Sequence, residues 1–151
     1  MKSIILFLLL SVPAFAPSSK VVLFKPDDIV GFWMTNENML KVQVYKVGSE
    51  YRGKIVWFED KHYKAKMNEC LDEMNPNPAL RNRKVLGLEV VTGLKYDADD
   101  DNWQDGEIYD SNTGKTYDSQ VEMHTTSTIT VTGYWMFTWL GKDLTFYRVA
   151  R

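Results

Sequence analysis

The sequence predicts an all-β protein of eight antiparallel strands, closed in chain order into an up-and-down barrel, with one long insertion between strands three and four. Three observations carry this. Short stretches of alternating apolar and polar residues recur along the chain, the mark of half-buried strands. Gly- and Asn-rich turns separate them at hairpin spacing. Outside residues 1–16, no apolar stretch has the length or period of a long helix, and closing eight consecutive strands removes exposed sheet edges.

In order, Ile29–Asn36 is the first strand, after an Asp27-Asp28 turn. Leu40–Val47 is the second, with Leu40, Val42 and Val44 on one face. Gly48-Ser49-Glu50 turns the chain into Tyr51–Phe58, where Tyr51, Gly53, Ile55 and Trp57 share a face. Residues 59–85 form the insertion. Within it Asn77-Pro78 is a helix-start pair, an N-cap followed by proline, opening one short turn over Ala79–Arg83. Leu86–Tyr96 is the fourth strand, and Asp97–Asn102 turns the chain back. Thr128–Trp135 and Asp143–Val149 are the last two strands.

The fifth and sixth strands form a hairpin, Trp103–Met123, around Asn112-Thr113-Gly114. If Ser111 and Lys115 close the turn, Tyr109 faces Tyr117, Glu107 faces Ser119, Asp105 faces Val121 and Trp103 faces Met123. The opposite side, with Gln104, Gly106, Ile108, Asp118, Gln120 and Glu122, is wetter. The first set is therefore expected inside, bringing two carboxylates with it.

At 151 residues the chain is long enough for a substantial core, and 44% apolar with 25% charged residues is ordinary for a soluble domain. A net charge of −2 without a Lys/Arg cluster argues against nucleic acid. Residues 1–16 read as a secretory signal, with Lys2, the apolar run Ile4–Leu10 and Ala14-Phe15-Ala16. Because Pro17 hinders cleavage after Ala16, the boundary is set after Ser18. That leaves residues 19–151 as one barrel domain, periplasmic or secreted. No later run is long enough to be a transmembrane segment. Cys70 is the only cysteine, so it is buried, capped, or paired with a second chain in a dimer.

Gly31-Phe32-Trp33 near the start, with Arg148 on the last strand, resembles the lipocalin (calycin) signature, in which a basic residue lies over the tryptophan and seals the barrel floor. A broader set of residues resembles the bacterial family called domain of unknown function 2147. It comprises Gly53-Lys54-Ile55-Val56-Trp57, Asn75-Pro76-Asn77-Pro78-Ala79-Leu80-Arg81-Asn82-Arg83, Ile108-Tyr109-Asp110 and Gly114-Lys115-x-Tyr117. That resemblance implies an exported, lipocalin-like barrel. Its members' cysteine pair is absent here.

Together these readings predict a protein that holds a small hydrophobic or amphipathic ligand with a polar head inside the barrel. Trp57, Trp103, Tyr109, Tyr117, Val121 and Met123 would line the wall. Asp105 and Glu107 would meet the polar end, and Arg81 and Arg83 would stand near the entrance. Gly31, Trp33 and Arg148 form the structural floor. For the two carboxylates, pocket polarity is preferred to internal ion pairing, and both to acid/base catalysis. Arg81 and Arg83 read first as tethers of the insertion and second as an anion clamp.

No cofactor is expected. The run Asp97–Asp101 lacks the glycine and the glutamate of a calcium loop, and His62 and His124 have no metal-ligand spacing. The alternative function is a filled-core envelope protein acting through the apolar run Tyr134–Leu140, with Trp139 at its centre.

Overall fold

The computed structural model describes residues 23–59, 65–134 and 142–151. Eight strands run in order: β1 (Gly31–Thr35), β2 (Leu40–Val47), β3 (Glu50–Phe58), β4 (Glu89–Asp97), β5 (Asn102–Asp110), β6 (Lys115–Thr125), β7 (Thr128–Tyr134) and β8 (Lys142–Val149). Each pairs antiparallel with the next, and β8 returns to β1 through Trp33 opposite Arg148, closing the barrel. Closure leaves no strand edge among these eight for another chain to pair with.

Strand alternation gives the barrel two unlike ends. The turns after β2, β4 and β6 lie at one end, beside a 3₁₀ turn, Pro26–Ile29, that precedes β1. The other end carries the turn after β1, the long β3–β4 connection, the β5–β6 turn and the start of β8. In the connection, Asn77 accepts a hydrogen bond from the Ala79 amide at 3.0 Å and starts a 3₁₀ turn, Pro78–Leu80, in place of the turn over Ala79–Arg83 expected from sequence.

Two apolar clusters follow. The larger fills the first end with Ile29, Trp33, Tyr51, Leu94, Trp103 and Phe146, among others. The smaller joins Ile55 and Phe58 of β3 to Cys70, Val85, Leu88 and Val90 of the connection and β4. It holds the connection against the second end of the barrel.

Candidate functional site

The first end is shut by side chains. Trp33 is 1% exposed, and its indole donates to the Ile29 carbonyl at 2.8 Å. The Arg148 guanidinium lies 4.3 Å from the Trp33 ring centroid, a contact worth about 1–2 kcal/mol where water is largely excluded. The same guanidinium donates to the carbonyls of Thr126 and Val30, at 2.6 and 2.9 Å, and to that of Asp28. Gly31 is obligatory beneath it: with φ 147°, a Cβ there would stand 2.5 Å from Arg148 Nη1. Trp103 is fully buried, donates to the Pro26 carbonyl at 3.0 Å and meets the edge of Tyr51 at 6.5 Å between centroids. Val121 and Met123 pack into the same cluster. Trp103, Val121 and Met123 thus point inward, but into a plug rather than a cavity wall.

The β5–β6 register differs from the one expected. Asp110 pairs with Lys115, so four residues form the turn, and Tyr109 lies opposite Thr116 rather than Tyr117. A slip of one residue exchanges the two faces of a strand. A bulge between Trp103 and Gly106, with Asp105 at φ 61°, then restores the phase, so Trp103 stays inside. Past the bulge the inner residues of β5 are Gly106 and Ile108. Glu107 and Asp105 face solvent, and Asp105 meets Lys95 at 3.7 Å with its side chain 68% exposed. The pair of inward carboxylates expected from sequence therefore does not exist. Tyr109 also turns outward, onto the β3–β4 connection.

A second bulge corrects Trp57. The register slips between Lys41 and Val42, so Ile55 stays inside while Trp57 crosses to the outer face, opposite Lys41. There it lines a groove of about 610 Å³ with Phe32, Met34, Lys41, Gln43, Lys54, Val56 and Arg151. A second concavity, about 520 Å³, lies over the β4–β5–β6 wall around Gly93 and Asp105. Both are outside the barrel.

The inner face toward the second end is different in kind. Gly53, Val91, Ile108 and Tyr117 follow one another across β3 to β6. One level further toward the plug, Gly106, Ser119 and Gly133 form a row of small residues. Ile108, Tyr117, Val131 and Gly133 are half-buried, and Leu144, opposite Val131, is 39% exposed. Among the described residues, a Cβ on Gly133 would find nothing closer than Tyr117 Cβ at 4.0 Å. Ser119 is 4% exposed, and its Oγ makes no hydrogen bond among the described residues. A buried hydroxyl without a partner costs about 1–3 kcal/mol, a cost that a ligand or water able to hydrogen-bond would relieve.

Of the proposed wall, only Tyr117 belongs to this open half. Sequence reasoning missed Ile108, Ser119, Val131, Gly133 and Leu144 as a group. One signal was available: Asp105-Gly106 inside a strand pattern is bulge chemistry.

Arg81 and Arg83 are engaged within the connection. Arg83 Nε donates to the fully buried Asp72 at 2.8 Å, and Arg81 Nε donates to the Asn75 carbonyl at 2.7 Å. Asp72 also accepts from Tyr109 at 2.6 Å and Asn75 at 2.8 Å. Burial pushes the Asp72 carboxyl up, but these hydrogen bonds outweigh it and hold the group below its ordinary value. Arg83's partner is thus a carboxylate inside the connection, tied to the hairpin through Tyr109, and Arg81's is a main-chain carbonyl of the same segment. Gly114 lets the two meet, since a Cβ there would collide with the Met74 carbonyl.

Cys70 is 6% exposed, its thiol directed at the carbonyls of Ala65 and Lys66 at 3.4 Å. A bridge to a second chain through this thiol would require the connection to open. Asp97 and Asp101 are likewise engaged, Asp97 with the amides of Asp99 and Asp100, Asp101 with the Phe24 amide and the Tyr96 hydroxyl. His124 faces Thr130 Oγ1 at 2.8 Å. His62, the leader (residues 1–18) and Trp135–Leu140, with Trp139, lie outside the described residues. No helix among the described residues is long and apolar enough to cross a membrane.

A solved structure titled "Protein HP1028 from the human pathogen Helicobacter pylori belongs to the lipocalin family" is similar to this chain, with a TM-score of 0.67 and 25% identity over 81% of this chain and 83% of that one. No curated protein matches. The family model described as "Uncharacterized protein conserved in bacteria (DUF2147)" matches residues 31–148, and the chain belongs to that family, as a lipocalin-like barrel.

Proposed function

We propose that this is an exported lipocalin-like protein that binds one small, mainly apolar molecule in the open half of its barrel. The observation that carries the reading is the pair Ser119–Gly133. A Cβ on Gly133 would meet no described atom closer than 4.0 Å, where the other half of the barrel is filled by indoles and phenyl rings, and beside it the buried Ser119 hydroxyl has no partner among the described residues. Ile108, Tyr117, Val131 and Leu144 supply apolar walls, and Ser119 Oγ supplies one hydrogen bond to a polar atom of the ligand. The lipocalin-like closed barrel supports binding rather than catalysis, and the leader-like pattern of residues 1–16 supports export.

The test is titration with the neutral fluorophore N-phenyl-naphthylamine, followed by displacement with medium-chain alcohols and fatty acids. Gly133→Leu fills this space, and we expect it to weaken binding about tenfold with no loss of melting temperature, since a Cβ there meets no described atom closer than 4.0 Å. Failure of every uncharged apolar probe to bind the wild-type protein would remove the reading.

A further inference from the structure

Outside the barrel, we infer a second binding site, for a small anionic amphiphile, in the groove on β1, β2 and β3. It goes beyond the interior site and does not depend on it. The groove is made by a bulge. At Val56 the β2–β3 register slips, so Val56 and Trp57 both serve the outer wall, where an indole has no core to join. Trp57 is nevertheless half-buried, and it lines the groove together with Phe32 and Met34. That shape suits an occupant lying in the groove and not a bilayer into which the ring would have to reach.

Charge specifies the occupant further. Lys41, Lys54 and Arg151 line the groove, with no Asp or Glu side chain among its lining residues. Elsewhere Lys46, Arg52, Arg83 and Lys95 each meet an acid within 4 Å. Lys41 and Lys54 instead lie over aromatic faces, Lys41 at 5.4 Å from the Phe32 centroid and Lys54 at 5.5 Å from that of Tyr45. Lys41 and Lys54, without acid partners among the described residues and set around an aromatic floor, form a local reversal of sign on a chain of net charge −2. A carboxylate or sulfonate on a flat or short apolar body would pair with the lysines and the arginine fork while its body covers Trp57. The volume of about 610 Å³ is within the range that holds one such molecule.

Two dyes with the same aromatic body separate this site from the interior one. Anilinonaphthalene sulfonate carries the anion, and N-phenyl-naphthylamine does not. The double variant Lys41→Glu with Lys54→Glu should weaken the sulfonate dye about tenfold or more and leave the neutral dye unchanged. Wild-type affinity for the sulfonate should fall as salt rises from about 50 to about 500 mM. The sulfonate dye should also move the Trp57 indole N–H resonance in a two-dimensional NMR spectrum, a signal that vanishes in Trp57→Phe. Unchanged sulfonate affinity in the charge-reversed variant, or a Trp57 resonance that stays in place at saturation, would overturn the proposal. Loss of neutral-dye binding alone would count only against the interior site.

Discussion

The two ends of this barrel are built on opposite terms. At the shut end the inward indoles are engaged: Trp33 and Trp103 are buried to 1% or less, and both donate to main-chain carbonyls of the 3₁₀ turn. At the open end several inward residues are small or half-exposed, and Ser119 keeps a buried hydroxyl without a partner among the described residues. The difference teaches where stability resides and where the proposed site lies. Aromatic burial with satisfied hydrogen bonds holds the fold, and the space that packing leaves unfilled is where a ligand can be held.

The contrast can be broken experimentally, and the largest effect belongs to the shut end. Trp103→Ala removes a fully buried indole from the Tyr51–Tyr96 cluster and should cost about 3–5 kcal/mol in urea unfolding. A loss below about 1 kcal/mol would mean that this end is not the core.

An intermediate effect belongs to Asp72, which ties the connection to the hairpin. Asp72→Asn should cost about 1–3 kcal/mol, toward the low side because the Arg83 side chain is 37% exposed and screened. Its carboxyl is held below the ordinary value, so its contribution is complete above the unfolded carboxyl range and is lost as pH falls through the folded value. Stability of the wild type should therefore decline below about pH 4, and the variant should decline less steeply. An equally steep acid limb in Asp72→Asn would place the linkage elsewhere, with Asp27 the first alternative: its hydrogen bonds from Lys46 and Tyr51 also hold its carboxyl low.

The smallest effect has the opposite sign. Ser119→Ala removes an unsatisfied hydroxyl, so stability should be unchanged or rise by about 1 kcal/mol, while affinity for an alcohol or fatty acid falls. Destabilisation beyond about 1 kcal/mol would show that the hydroxyl already has a partner, and the two ends would then be less unlike than they look.

Much of this architecture is legible in the chain alone. Period-two alternation marks Leu40–Val47 and Thr128–Tyr134, Asn77-Pro78 marks a helical start, and Gly31-x-Trp33 with Arg148 marks a floor. Eight such segments with short turns have few ways to pair other than in sequence, because neighbouring strands meet first and closure removes the edges. Local chemistry determines those features, so a local reading finds them.

The tertiary structure decided which way individual side chains point. Register shifts, among them those near Val56, Gly93 and Asp105, reverse the phase of the strand beyond them. Gly93 and Asp105 lie on adjacent strands, and a Cβ on Gly93 would come within 3.4 Å of the Asp105 carbonyl. The two irregularities fit one another across the ladder, a fit that alternation within one strand cannot encode. Alternation alone misplaces Asp105, Glu107, Tyr109 and Trp57 for this reason, and the groove that Trp57 lines exists because pairing with a neighbouring strand sets its face.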